Sequence, residues 1–155
     1  MDYETRLSQL GLTMPEPSVP PGAFSATMVH RDLITVSGQV PLVDGKVLAV
    51  GQLGAGVSIE LGQECARHAL LNCLSQIRAE LGSLDPVIGF VRLAGYVAAT
   101  PDFVAHGKVI DAASVLLGEV FGPLGRHARL AVGVASLPRG VPVEIELTAI
   151  LRQGN

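Results

Sequence analysis

The 155-residue chain has no tryptophan, two tyrosines and four phenylalanines. So few rings give no stacking platform for single-stranded nucleic acid. Charged residues make up 16% of the chain, against a usual share of about 25%. Its 11 basic and 14 acidic side chains leave a net charge of −3 and form no Lys/Arg cluster. Nucleic acid therefore has no electrostatic footprint to bind, and none is expected as a partner. No apolar run approaches the roughly 20 residues needed to span a bilayer. The opening MDYETRLSQL lacks the apolar stretch of a secretory signal. Only two cysteines are present, Cys65 and Cys73. In one helical stretch their Cα atoms would be roughly 12 Å apart, too far to bridge. They read as free core thiols rather than nucleophiles, which suits a reducing cytoplasm. His30, His68, His106 and His127 show no zinc-ligand spacing, so no metal is expected.

What the chain does have is apolar bulk, 48% of its residues. Its length suits one domain with a real core. With so few charges to cover the surface, some apolar surface is expected to be buried between subunits. Residues 1–22 read as a short helix (Asp2 to Leu10) followed by an extended segment with prolines at 15, 17, 20 and 21. That segment should pack along the domain or along a neighbouring subunit. Residues 23–155 read as a single domain.

Within it, Ala23 to His30 and Leu33 to Val40 form a hairpin turning at Arg31 and Asp32. The second strand breaks at Ser37, Gly38 and Gln39, either at a bulge where a ligand approaches or at a simple strand end. Asp44 and Gly45 turn into a short strand from Val47 to Val50. Gly51 to Val57 is glycine-rich, but it lacks the third glycine of a dinucleotide fingerprint and the Lys-Ser/Thr of a P-loop. It reads as a loop into a helix from Ser58 to Leu81, capped by Ser58 and stopped by Gly82. Ala66, Leu70, Cys73, Ile77 and Leu81 form its buried stripe, with Arg67, Asn72, Gln76 and Arg78 outside it. Val87 to Ala99 is a central strand. Thr100, Pro101 and Asp102 open a second helix running to about Val120, with Phe103, Ile110, Ala113 and Leu117 buried and His106 and Lys108 exposed. Ala128 to Ala135, a turn at Leu137 to Gly140, and Val141 to Ile150 read as a closing hairpin. This order implies an α+β fold, a mixed sheet with both helices on one face and its other face covered by association.

The closing stretch carries charges inside apolar strands: Arg129, Glu144 and Glu146. Such charges must face water, pair or serve a site. Glu144 and Glu146 are two apart and share a face, so at most one should enter a tight pocket, and Glu144 is preferred. Ser37 has no His and Asp in a triad pattern. His127, two residues before Arg129, has two readings, a border of the pocket or a plain loop histidine, and the loop histidine is preferred.

Taken together, Ser37-Gly38-Gln39-Val40-Pro41, Cys65-Ala66-Arg67, Pro101-Asp102-Phe103, Ala128-Arg129, Leu137-Pro138 and Val143-Glu144-Ile145-Glu146 resemble the reactive-intermediate deaminase family, also called YjgF/YER057c/UK114. The likeness spans roughly Pro21 to Arg152. It implies a fold similar to the Bacillus-type chorismate mutase, a homotrimer, and pockets at the subunit interfaces. It also implies hydrolysis of enamines and imines such as 2-aminoacrylate to 2-keto acids and ammonia, with no metal or organic cofactor. By the same resemblance Arg129 matches the arginine that holds the substrate carboxylate, through two parallel donors. Glu144 matches the glutamate that positions or activates water, and Ser37 and Gly38 match pocket-lining positions. Phe24 stands where a tyrosine is common and Ala131 where a cysteine is common. Asp111 falls near the family's pocket asparagine and, if it faced the pocket, would disfavour an anionic ligand.

Three functions follow as expectations. The first is an imine/enamine deaminase acting on small carboxylated substrates. The second is a non-catalytic trimer binding small carboxylates such as keto acids through Arg129, which the missing Tyr and Cys motivate. The third is the endoribonuclease activity ascribed to some family members, which the acidic charge disfavours.

Overall fold

The structure, a computed structural model, describes residues 2–152. The N-terminal helix α1 (Tyr3–Gln9) is capped by the Asp2 carboxylate, which accepts from the Glu4 N–H. It packs against the far end of the domain, where the Tyr3 ring lies tilted on Phe121 with centroids 4.4 Å apart and Arg6 Nε donates to the Glu119 carbonyl at 2.7 Å.

Strands β1 (Thr27–His30) and β2 (Leu33–Gln39) form the expected hairpin, turning through Arg31 and Asp32. Two small ribbons follow. β3 (Leu42–Val43) and β4 (Lys46–Val47) close around Asp44 and Gly45, and β5 (Gln52–Leu53) pairs with β6 (Gly56–Val57) inside the glycine-rich loop. The strand read from Val47 to Val50 is in fact centred two residues earlier, at Lys46–Val47, because the Asp44-Gly45 turn pairs Val43 directly with Lys46.

Helix α2 (Ile59–Leu81) starts and stops as the sequence indicates. The Ser58 hydroxyl accepts from the Leu61 N–H, and Gly82 ends it at φ +82°, a conformation glycine adopts without strain. α2 is buried almost all round between Cys65 and Ile77. Strand β7 (Val87–Ala98) leads to helix α3 (His106–Phe121). α3 starts later than the sequence implies: Thr100, Pro101 and Asp102 form a turn before it, and Ala105 supplies no side-chain cap. Strands β8 (Ala128–Val134) and β9 (Val143–Leu151) complete the chain.

The sheet has five strands in the order β1-β2-β9-β7-β8. β8 is parallel to β7, and the other neighbouring pairs are antiparallel. β8 and β9 are therefore not hairpin partners, because β7 lies between them. The reason is the connection: α3 carries the chain from β7 back to a parallel neighbour, the β-α-β arrangement. β9 then takes the free edge of β7 and pairs on its other side with β2.

Alternation along β9 sorts the two faces. Val143, Ile145, Leu147 and Ala149 are buried against the helices, while Glu144, Glu146 and Thr148 point the other way. α2 and α3 both pack on the first face, as expected. Among the described residues the second face carries no helix. There Glu144 lies opposite Tyr96 and Glu146 opposite Ala94, with Leu130 and Val132 in the next strand.

Candidate functional site

The decisive local event is in β2. Its register with β9 slips between Val36 and Gln39, so Ser37 and Gly38 bulge. Beyond the bulge β2 peels away and a groove of about 460 Å³ opens at the edge of β9. The Glu144 side chain lies across Gly38, where a Cβ would overlap Glu144 Oε1 and stand 3.0 Å from Cδ. Of the two sequence readings of Ser-Gly-Gln, the structure supports the bulge.

Glu144 is half-buried in this groove. Burial raises its pKa above the ordinary value of 4.5, and the like charge of Glu146 adds to the rise. Phe24, half-exposed, is in the wall, and Gly38 is in the floor. Ser37 does not line the groove, because its hydroxyl donates instead to the Ser25 carbonyl at 2.7 Å.

Two residues of α2 that the helical stripe left outside are inside. Asn72 Nδ2 donates to the Val40 carbonyl at 2.9 Å and the Leu42 carbonyl at 3.2 Å. Gln76 Nε2 donates to the Ser18 carbonyl at 2.7 Å. Both amides are buried because loop carbonyls satisfy them. Arg139, at the groove's rim, sits in the left-handed region at φ +60°.

Arg129 is elsewhere. Its guanidinium pairs with Asp111 of α3 at 2.5 Å and donates to Ser114 Oγ at 3.4 Å, so it lies on the helix face of β8. Ala131, two residues on, shares that face and packs on the core. Glu144 points to the other face. Leu93 of β7 pairs with Arg129, and Tyr96 pairs with Glu144 on the opposite side of β7, which puts the two Cα atoms roughly 14 Å apart. One chain thus gathers Phe24, Gly38 and Glu144 in one place and Arg129, Asp111 and Ala131 in another.

Around Arg129 the structure adds a relay that the sequence did not disclose. A carbonyl can only accept, so His127 Nδ1 donates to Gly125 O at 2.7 Å. In the neutral ring Nε2 then accepts from Ser114 Oγ at 2.9 Å. Ser114 in turn accepts from Arg129. The relay and Asp111 together orient the guanidinium while leaving other N–H donors for a ligand. His127 is a loop histidine, as read, whose ring is fixed by Gly125 and Ser114. His106, expected to be exposed, is half-buried over Gly133 and packs edge-on against Phe103.

Cys65 and Cys73 are buried and free. Desolvation pushes the Cys65 thiol up to about 11 and raises Cys73 further, so neither is an available thiolate. Among the described residues no helix is long and apolar enough to cross a membrane, and no cluster of His, Cys, Asp and Glu could hold a metal ion.

A family model described as "YjgF/chorismate mutase-like, putative endoribonuclease" matches residues 4–149. The chain belongs to this YjgF/chorismate mutase-like family. It is 40% identical over 141 residues to Protein TCP17 of Trypanosoma cruzi, covering 90% of this chain and 88% of that one. A Shewanella oneidensis structure, described as "a putative endoribonuclease", is 32% identical and covers 97% of this chain and 100% of its own, with a TM-score of 0.94. The YjgF gene product of E. coli is 25% identical over 90% of this chain and 96% of its own, with a TM-score of 0.65. Membership in the YjgF family bears out the resemblance read from the dispersed motifs, and with it the chorismate mutase-like α+β fold.

Proposed function

We propose that the protein hydrolyses small carboxylated enamines and imines of the 2-aminoacrylate type to 2-keto acids and ammonia, in a pocket shared between copies of the chain in a homotrimer. The observation that carries the proposal is Glu144. Its carboxylate is half-buried in a groove and lies across a backbone bulge, with a pKa raised toward that of a useful proton acceptor. The enamine first takes its imine form, whose carbon is already electrophilic, so water needs only positioning and a proton acceptor. Glu144 takes a proton from water as its oxygen adds to that carbon. The same proton then goes to the imine nitrogen, giving a carbinolamine. Glu144 next takes the proton of the new hydroxyl and passes it to nitrogen as the C–N bond breaks, so that ammonia leaves and the C=O of the keto acid forms. No metal or organic cofactor is required.

Arg129 supplies the carboxylate anchor from a neighbouring copy. Its own chain holds it on the opposite face from Glu144, while the uncovered sheet face offers Tyr96, Leu130 and Val132 for association. RNA cleavage, which the relatives' descriptions raise, is a weaker reading because the chain carries −3 and no basic cluster.

The test is ammonia release from 2-aminoacrylate generated in situ. Wild type is expected to accelerate it. Arg129→Ala and Glu144→Gln are each expected to lose at least about 100-fold, the scale of a lost positioned acid–base or orienting group. No acceleration by wild type would overturn the proposal. Keto-acid binding without turnover would leave the non-catalytic carboxylate-binding protein in its place.

A further inference from the structure

In a single copy, before the neighbour that supplies Arg129 closes over it, the groove at Glu144 is far larger than a three-carbon imine needs. At about 460 Å³ it falls in the range of roughly 300–1,000 Å³ typical of sites for larger ligands. Its walls are apolar. One is the proline-rich arm, which presents Val19, Pro20 and Phe24, and the other is the chain after β2, with Val40 and Leu42.

The two walls are tied to one face of one helix. Ser75 Oγ donates to the Pro15 carbonyl at 2.6 Å and Gln76 to the Ser18 carbonyl, which fixes the arm. Asn72, one helical turn earlier, holds the carbonyls of Val40 and Leu42. Proline restricts the arm's backbone further, so little entropy opposes its standing position. The groove is therefore a preformed slot whose width α2 sets. The charged side chains are Glu144 in the slot and Arg139 at its rim, and the other polar lining side chains are Ser18, Gln39 and Gln76.

Resting on the assignment of Glu144 as the reacting group, we infer that the arm makes the protein selective for 2-imino and 2-oxo acids with branched or aromatic side chains. The reacting carbon sits at Glu144 and the side chain runs between Phe24 and Val40–Leu42. Gln76 is the positioning residue that keeps the arm in place.

Calorimetric titration of the full-length protein with pyruvate and with 4-methyl-2-oxopentanoate tests this without requiring turnover. Each buried methylene is worth roughly a factor of four, so the branched keto acid should bind at least tenfold tighter than pyruvate. Gln76→Ala should bring the two within about threefold of each other. Phe24→Ala, at a half-exposed position that does not threaten folding, should narrow the gap in the same direction. Equal affinities in wild type, a preference for pyruvate, binding of neither acid, or a gap unchanged in both variants would overturn the inference. In parallel, imines derived from alanine and leucine are compared for ammonia release. Turnover of both without preference sinks the selectivity and leaves the deaminase standing. Selective keto-acid binding without any turnover sinks the deaminase and leaves the selectivity standing.

Discussion

Gly38→Ala separates the scaffold from the chemistry. Gly38 is not among the positive-φ glycines, so alanine can take its backbone conformation. The nearest atoms to the new methyl all belong to Glu144: it would overlap Oε1 and approach Cδ at 3.0 Å and Cγ at 3.3 Å. The struck atoms are the far end of a flexible side chain, so the carboxylate moves and the strand does not. Displacing it off its rotamer costs about 0.5–1.5 kcal/mol, or a Tm loss of roughly 1–6 °C for a chain of this size. The chemical effect should be far greater, because misplacing a reacting group by about 1 Å costs on the order of 100-fold. The acid limb of the pH–rate profile should also move to lower pH, since a swung-out Glu144 loses the burial that raises its pKa. Differential scanning calorimetry and ammonia release, run on the same preparation, give both readings. A Tm drop above 10 °C, or an alanine variant with full activity, would refute this account of the Gly38–Glu144 contact.

Glu144→Gln should show a pH-dependent stability change. Glu144 has a raised folded pKa, so its protonated form contributes stability that is full below about 4.5 and lost as pH rises through the folded value. The variant, neutral at every pH, should therefore gain Tm relative to wild type at pH 7 compared with pH 4, as followed by circular dichroism. Val132→Asp, on the uncovered sheet face, should leave the monomer fold intact and dissociate the proposed trimer, read by light scattering on a sizing column. Asn72→Ala leaves the Val40 and Leu42 carbonyls without their donor and should cost about 1–3 kcal/mol in chemical denaturation, loosening one wall of the groove.

The elements were largely legible because local signals agree with the fold. Ser58 and Gly82 bracket α2, Arg31-Asp32 and Asp44-Gly45 turn where turns are needed, and alternation in Val143 to Leu151 marks one buried face. What failed was partnership. Ala128 to Val134 and Val143 to Leu151 look like a hairpin because they are near in sequence. Their pairing is decided by β7, whose affinity for both shows only in three dimensions. Asn72 and Gln76 were misplaced for a related reason. Polarity argues for solvent until a loop carbonyl is known to be waiting. The motifs named Arg129 and Glu144, but no spacing between them discloses that they face opposite sides of one sheet. The relay through Ser114 and His127 joins two elements and has no local signature at all.

The position of β9 has a consequence for the order in which the molecule is made. It is synthesised after every other strand, yet it sits between β2 and β7 and pairs with both. Until residues 143–151 emerge, a growing chain holds two half-sheets, β1-β2 and β7-β8, each with an open edge and no common partner. Such edges invite pairing with other chains. The final strand is thus a keystone: translation that stalls before it leaves α2 able to pack on α3 and β2, but two half-sheets without the strand that joins them.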